Sequence, residues 1–174
     1  FPLRTAAERI LFVKLLNAGQ ICTTVDHAWL PQAKVDAFVQ LAKEIVPARY
    51  PDMGTVDYTS IIDQRAFDRL VHALEDARAR GATLITLLPG APYDPATRKI
   101  NPTIVLNAPR DSLLMQREIF GPILPLCGYT DVEAVVAHIN GGPRPLAIYP
   151  FSHDKQTVQM LLDRVMSGGV SVND

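Results

Sequence analysis

The 174-residue chain is short of cysteine, of net charge and of long apolar runs, and each shortage closes off a class of protein. Two cysteines, Cys22 and Cys127, are too few for a disulfide framework. With no signal-peptide pattern present, the expected setting is reducing and cytoplasmic. A formal net charge of −1 leaves no electrostatic footprint for nucleic acid or for an anionic membrane surface. No apolar run reaches the roughly 18 residues that a membrane-spanning helix requires. His27, His72, His138 and His153 are scattered, with no ligand spacing among themselves or to cysteine, so no metal site is expected. Internal repeats and low-complexity tracts are absent too.

What is present is globular: 48% hydrophobic residues and 20% charged ones in a length suited to one domain. Apolar periodicity predicts a helix over 3–18, a strand over 24–30, and a helix after Pro31 with Val35, Phe38, Val39, Ala42 and Val46 facing inward. Asp63 is placed to cap the next helix, with Ala66, Phe67, Leu70, Val71 and Leu74 inside and Gly81 at its end. Strands are expected at 82–88, 103–106, 123–129, 146–151 and 170–173. A capping box "TDVE" (130–133) starts one further helix, and Val158, Leu161, Leu162 and Val165 stripe another. Strands alternating with helices of about a dozen residues imply an α/β domain: a mostly parallel, twisted sheet between two helical layers. The chain opens on Phe1 and stops within an apparent core strand, so residues 1–174 are expected to be one domain cut from a longer chain at both ends.

Two stretches carry chemistry. In "NAGQIC" (17–22) a glycine turn precedes Cys22; if the turn opens on a cleft, backbone N–H groups there could stabilise a thiolate and a neighbouring oxyanion. The alternative is a small buried cysteine. In "REIFGPILP" (117–125), Glu118 could accept hydrogen bonds from a diol such as ribose, and Phe120 could offer a flat wall to a planar ring. The alternative there is a surface glutamate paired with an arginine, and a core phenylalanine.

Together these stretches resemble the NAD(P)-dependent aldehyde dehydrogenases. "NAGQICTT" is similar to that family's cysteine motif Asn-x-Gly-Gln-x-Cys, and "EIFGPILP" to its cofactor-facing motif Glu-Ile-Phe-Gly-Pro. "NPTIVLNAPRDSLLMQREIFGP", "INGGPRPLAIYPFSHD" and "SGGVSVND" follow in family order, so the resemblance covers essentially the whole chain. "VDYTSIIDQRAFDRL" and "RPLAIYPFS" look most like the branch acting on coniferyl and fatty aldehydes, although Arg117 and Gly141-Gly142 depart from the commoner residues.

The resemblance implies a Cys22 thiolate that attacks an aldehyde to form a thiohemiacetal and then a thioester. It places Glu118 on the nicotinamide ribose and Phe120 beside the ring. Asn17, Gly19 and Gln20 would shape the turn, and Asn173 matches a family asparagine near the site. The general-base glutamate of a Glu-Leu-Gly-Gly-Lys motif and most of the dinucleotide-binding domain lie outside residues 1–174 in the family. NAD or NADP is therefore expected in the parent protein, as is a homo-oligomeric state, but the cofactor is not expected to be held tightly by these residues alone, which are expected to be inactive in isolation. A cofactor-independent cysteine hydrolase or thioesterase, with His27 as base, is one alternative; a non-catalytic scaffold is another. Trp29, Tyr149 and Cys127 read as packing.

Overall fold

Two apolar stripes decide where the first helical layer lies. In the computed structural model, which describes residues 1–174, α1 (Leu3–Leu15) buries Ala7, Leu11 and Leu15, and α2 (Val35–Arg49) buries Val35, Phe38, Val39, Ala42 and Val46. Positions recurring every three or four residues give each helix one apolar face. Both faces meet Ala28, Leu30, Ile104, Leu124 and Leu126 in a single cluster.

Those strand residues belong to a four-stranded sheet ordered β1 (Ala28–Pro31), β6 (Ile123–Tyr129), β5 (Thr103–Leu106), β2 (Thr83–Thr86). β6 runs parallel to both β1 and β5, while β2 closes the far edge antiparallel to β5. Side chains alternate across a strand, so Val105 and Ile123 point to the opposite face. There they meet Phe67, Leu70, Ala73, Leu74 and Ala77 of α3 (Gln64–Ala79) in a second cluster. On that face α5 (Val132–Asn140) brings the His138 ring 4.8 Å from Trp29. Helices therefore cover both sides, as expected, over a sheet that is mostly parallel with an antiparallel edge. No helix is long and apolar enough to cross a membrane.

The caps follow local chemistry. The Asp63 carboxylate accepts the Ala66 N–H at 2.7 Å and starts α3, and Gly81 leaves the helix at φ 91°. α5 departs from expectation: Asp131, not Thr130, is its cap and accepts the Glu133 N–H at 2.9 Å. The proline-rich stretch from Pro89 holds a hairpin of β3 (Tyr93–Asp94) and β4 (Lys99–Ile100), and a single helical turn, α4 (Leu113–Gln116), precedes β6.

Three predicted elements are shorter than the pattern suggested. α1 stops at Leu15 because Asn17 and Ala18 turn left-handed, both at φ 52°. The strand predicted over 24–30 starts only at Ala28, since Thr24 closes a turn onto Ile21 and the Asp26 side chain is committed to Ile119. The last strands pair only as β7 (Ala147–Ile148) with β8 (Gly169–Val170), separate from the main sheet. Pro150 has no N–H to extend that ladder, and Asn173 is left-handed at φ 63°. α6 (Lys155–Arg164) has no fully buried residue; Leu162 of its predicted stripe is 39% exposed, and only Val165, at its C-terminal end, is buried.

Candidate active site

The turn that follows α1 is built from consecutive left-handed residues, Asn17, Ala18 and Gly19, the last at φ 74°. That conformation is unfavourable for residues other than glycine unless surroundings enforce it. Here they do. Ala18 is buried in the α3 cluster, and every polar atom of the Gln20 amide is engaged. Gln20 Nε2 donates to the Asn17 carbonyl at 3.0 Å and to the Ser60 carbonyl at 3.1 Å, while its Oε1 accepts the Ile62 N–H at 2.9 Å. Asn17 Nδ2 donates back to the Gln20 carbonyl at 3.3 Å. Asn17, Gly19 and Gln20 are thus brought together as turn-shaping residues, and the 60–62 strap is a partner the sequence did not announce.

Beyond Gln20 the chain makes a tight turn. The Thr24 N–H donates to the Ile21 carbonyl at 3.0 Å, and Thr24 Oγ1 donates to the Val13 carbonyl at 3.1 Å. Cys22 occupies the apex and is exposed. Its backbone N–H has no partner in the structure, so both the sulfur and that donor are available to an incoming carbonyl. The buried-cysteine alternative does not describe Cys22. It fits Cys127 better: half-buried in β6, its thiol is pushed up to about 11 by burial, which keeps it protonated and inert.

The second turn is pinned from behind. The Ile119 N–H donates to Asp26 Oδ1 at 2.8 Å, and Arg69 donates to the Ile119 carbonyl at 2.6 Å and the Glu118 carbonyl at 3.4 Å. Glu118 itself is exposed and forms no ion pair, so the predicted alternative of a glutamate held by an arginine is not what is seen. Phe120 is half-buried and left-handed at φ 53°.

The two turns meet through glycine. A Cβ on Gly19 would collide with the Gly121 carbonyl oxygen and lie 3.0 Å from the Lys14 carbonyl. Only a residue without a side chain permits this approach, which sets the cysteine turn directly on the turn that carries Glu118 and Phe120.

Beneath them sits Lys14, 1% exposed, its ammonium without a hydrogen-bond partner. Burial pulls it down to about 8, against the opposing attraction of Asp26 and Glu118. Its charge, with burial as the larger cause, also holds His27 below the usual imidazole value. The His27 ring faces Trp29 and His138, with centroids 6.3 and 6.4 Å away.

Asn173 commits its side chain to a neighbouring segment. Its amide brackets Ser152, donating to the Ser152 carbonyl at 2.9 Å and accepting the Ser152 N–H at 2.8 Å. Tyr149, assigned to packing by the sequence, instead reaches the cysteine turn: its hydroxyl donates to the Thr23 carbonyl at 2.7 Å. Burial and the negative charge available at Cys22 raise the Tyr149 phenol above its ordinary value, so it remains a donor. Asp26, Arg69 and Lys14 were also missed; an isolated charged residue in a mixed stretch carries no pattern that reveals its burial.

Residues 2–174 match the aldehyde dehydrogenase family. The chain belongs to that family. It is 43% identical over 174 residues to a probable coniferyl aldehyde dehydrogenase of Pseudomonas aeruginosa, covering 99% of this chain and 36% of that protein. Aldehyde dehydrogenase family 3 member A2 of Rattus norvegicus is 36% identical over 174 residues, covering 99% of this chain and 34% of that protein. A solved structure described as the substrate-bound state of Staphylococcus aureus AldH superposes with a TM-score of 0.90 at 30% identity, over 99% of this chain and 37% of its own. The chain thus spans little more than a third of the length of these relatives.

Proposed function

We propose that these residues form the nucleophile-bearing part of an enzyme that oxidises aldehydes, aromatic ones foremost, to carboxylic acids. The observation that carries this is the seating of the exposed Cys22 turn on the Glu118–Phe120 turn through the Gly19–Gly121 contact. The Cys22 thiolate adds to the aldehyde carbon, and the resulting oxyanion takes the free Cys22 N–H as a donor. The site fits a nicotinamide dinucleotide on its own geometry. Glu118 is an exposed, unpaired carboxylate whose main chain is immobilised by Asp26 and Arg69, which suits it to accept ribose hydroxyls. Phe120 presents a half-buried ring beside it. The dinucleotide, when bound, supplies the hydride acceptor that converts a thiohemiacetal on Cys22 to a thioester. Water then hydrolyses the thioester, giving the acid and restoring the thiol; the base for that water is expected from the family's upstream glutamate.

The relatives' names support an aromatic aldehyde, since the 43% identical protein is described as a probable coniferyl aldehyde dehydrogenase. The hydrolase alternative gains nothing from the site: His27 is engaged with Trp29 and His138 instead of with the thiol. The test is oxidation of coniferyl aldehyde with NAD or NADP by the full-length protein and its Cys22→Ala variant. Turnover is expected in the first and none above background in the second. Equal turnover in both would end the proposal.

A further inference from the structure

The hydrogen bond from Tyr149 leads somewhere specific. Its hydroxyl donates to the Thr23 carbonyl at 2.7 Å. That oxygen shares a planar peptide unit with the Thr24 N–H, which donates to the Ile21 carbonyl at 3.0 Å. The Ile21 carbonyl in turn shares its peptide unit with the Cys22 N–H. The sequence of groups is therefore phenol O–H, peptide, peptide, and finally the free N–H at the nucleophile. Donation at one end of such a chain polarises each amide after it, so the last N–H becomes a stronger donor. The same bonds fix the planes of both peptides and with them the direction of that N–H.

We propose that Tyr149 is a positioning residue for the oxyanion donor: through the Thr23–Thr24 and Ile21–Cys22 peptides it aims and strengthens the Cys22 backbone N–H. The inference rests on the reading of Cys22 as nucleophile. Asn173 serves the same end from further out. By bracketing Ser152 and donating its own N–H to the Pro150 carbonyl at 2.8 Å, it holds the segment that carries Tyr149.

The experiment compares two reactions of the Cys22 thiolate in the full-length protein, neither needing a cofactor. p-Nitrophenyl acetate acylates the sulfur through a tetrahedral oxyanion and releases p-nitrophenolate. Iodoacetamide alkylates it by direct displacement of iodide, with no oxyanion. Tyr149→Phe removes one oxygen atom and keeps the ring. It is expected to slow acylation about two- to tenfold, the range of one lost hydrogen bond, and to leave alkylation unchanged. Replacing Tyr149 with 3-fluorotyrosine, a stronger donor, should raise the acylation rate above wild type. Asn173→Asp should slow acylation in the Tyr149 background and add nothing in the Phe background, because its influence passes through the phenol. Equal acylation rates for Phe, Tyr and fluorotyrosine, or parallel losses in both reactions, would overturn the inference while leaving Cys22 in place. Acylation that persists in Cys22→Ala would instead remove the reading on which it rests.

Discussion

Replacing Lys14 by methionine should make the protein more stable at neutral pH, and the gain should fade as the solution becomes alkaline. Lys14 is fully buried, its ammonium has no hydrogen-bond partner, and its proton affinity falls from the ordinary 10.5 to about 8. A folded-state value below the unfolded one means that the native state holds fewer protons between those limits. Stability then rises with pH across that window, and the full penalty stands below its lower edge. At about 1.4 kcal/mol per pH unit the gap amounts to roughly 3 kcal/mol. Methionine keeps the length of the chain and packs without a charge to desolvate. Urea unfolding of the full-length protein and its Lys14→Met variant, at steps from about pH 6 to about pH 10, measures the difference directly. The variant should lead by roughly 3 kcal/mol at the acid end and lose most of that lead by about pH 10. A variant that is less stable at neutral pH, or a difference that stays flat with pH, would show that Asp26 and Glu118 hold the ammonium firmly enough to cancel its desolvation.

Other outcomes follow from the same geometry. Gly19→Ala puts a methyl group into the Gly121 carbonyl, so the two turns should separate. Labelling of Cys22 should then survive while nicotinamide-dependent oxidation by the full-length protein falls by at least about tenfold, a loss of reactant alignment. At pH 8, iodoacetamide should modify Cys22 and leave Cys127 untouched in the native protein, with mass spectrometry of the digest as the readout. Cys127 should become reactive only as the pH nears 11 or when the protein unfolds.

Much of the candidate site was legible without coordinates because its residues are contiguous. Asn17 to Cys22 and Glu118 to Phe120 are short motifs whose glycines mark turns, and the family resemblance joins them in one protein. The helices were equally readable: the α2 stripe from Val35 to Val46 is buried residue for residue as its periodicity demands. Boundaries were less so, and for identifiable reasons. The strand ahead of Ala28 is lost to the side-chain bond from Asp26 to a residue in the second turn, a partner far along the chain. The stripe on α6 meets no buried layer, since β7 and β8 pair apart from the main sheet.

Composition and local pattern alone therefore determined the class of fold and the helices, and the family resemblance carried by two contiguous motifs singled out Cys22 and the Glu118–Phe120 turn as candidates, because each is written in residues adjacent in the chain or repeated at a helical period. Only the tertiary structure decided which groups act on them from a distance. Lys14 comes to lie buried beneath Glu118, Gly19 touches Gly121, and Tyr149 reaches Thr23. These are contacts between segments tens of residues or more apart, where geometry depends on how the layers pack and no local sequence rule can supply it.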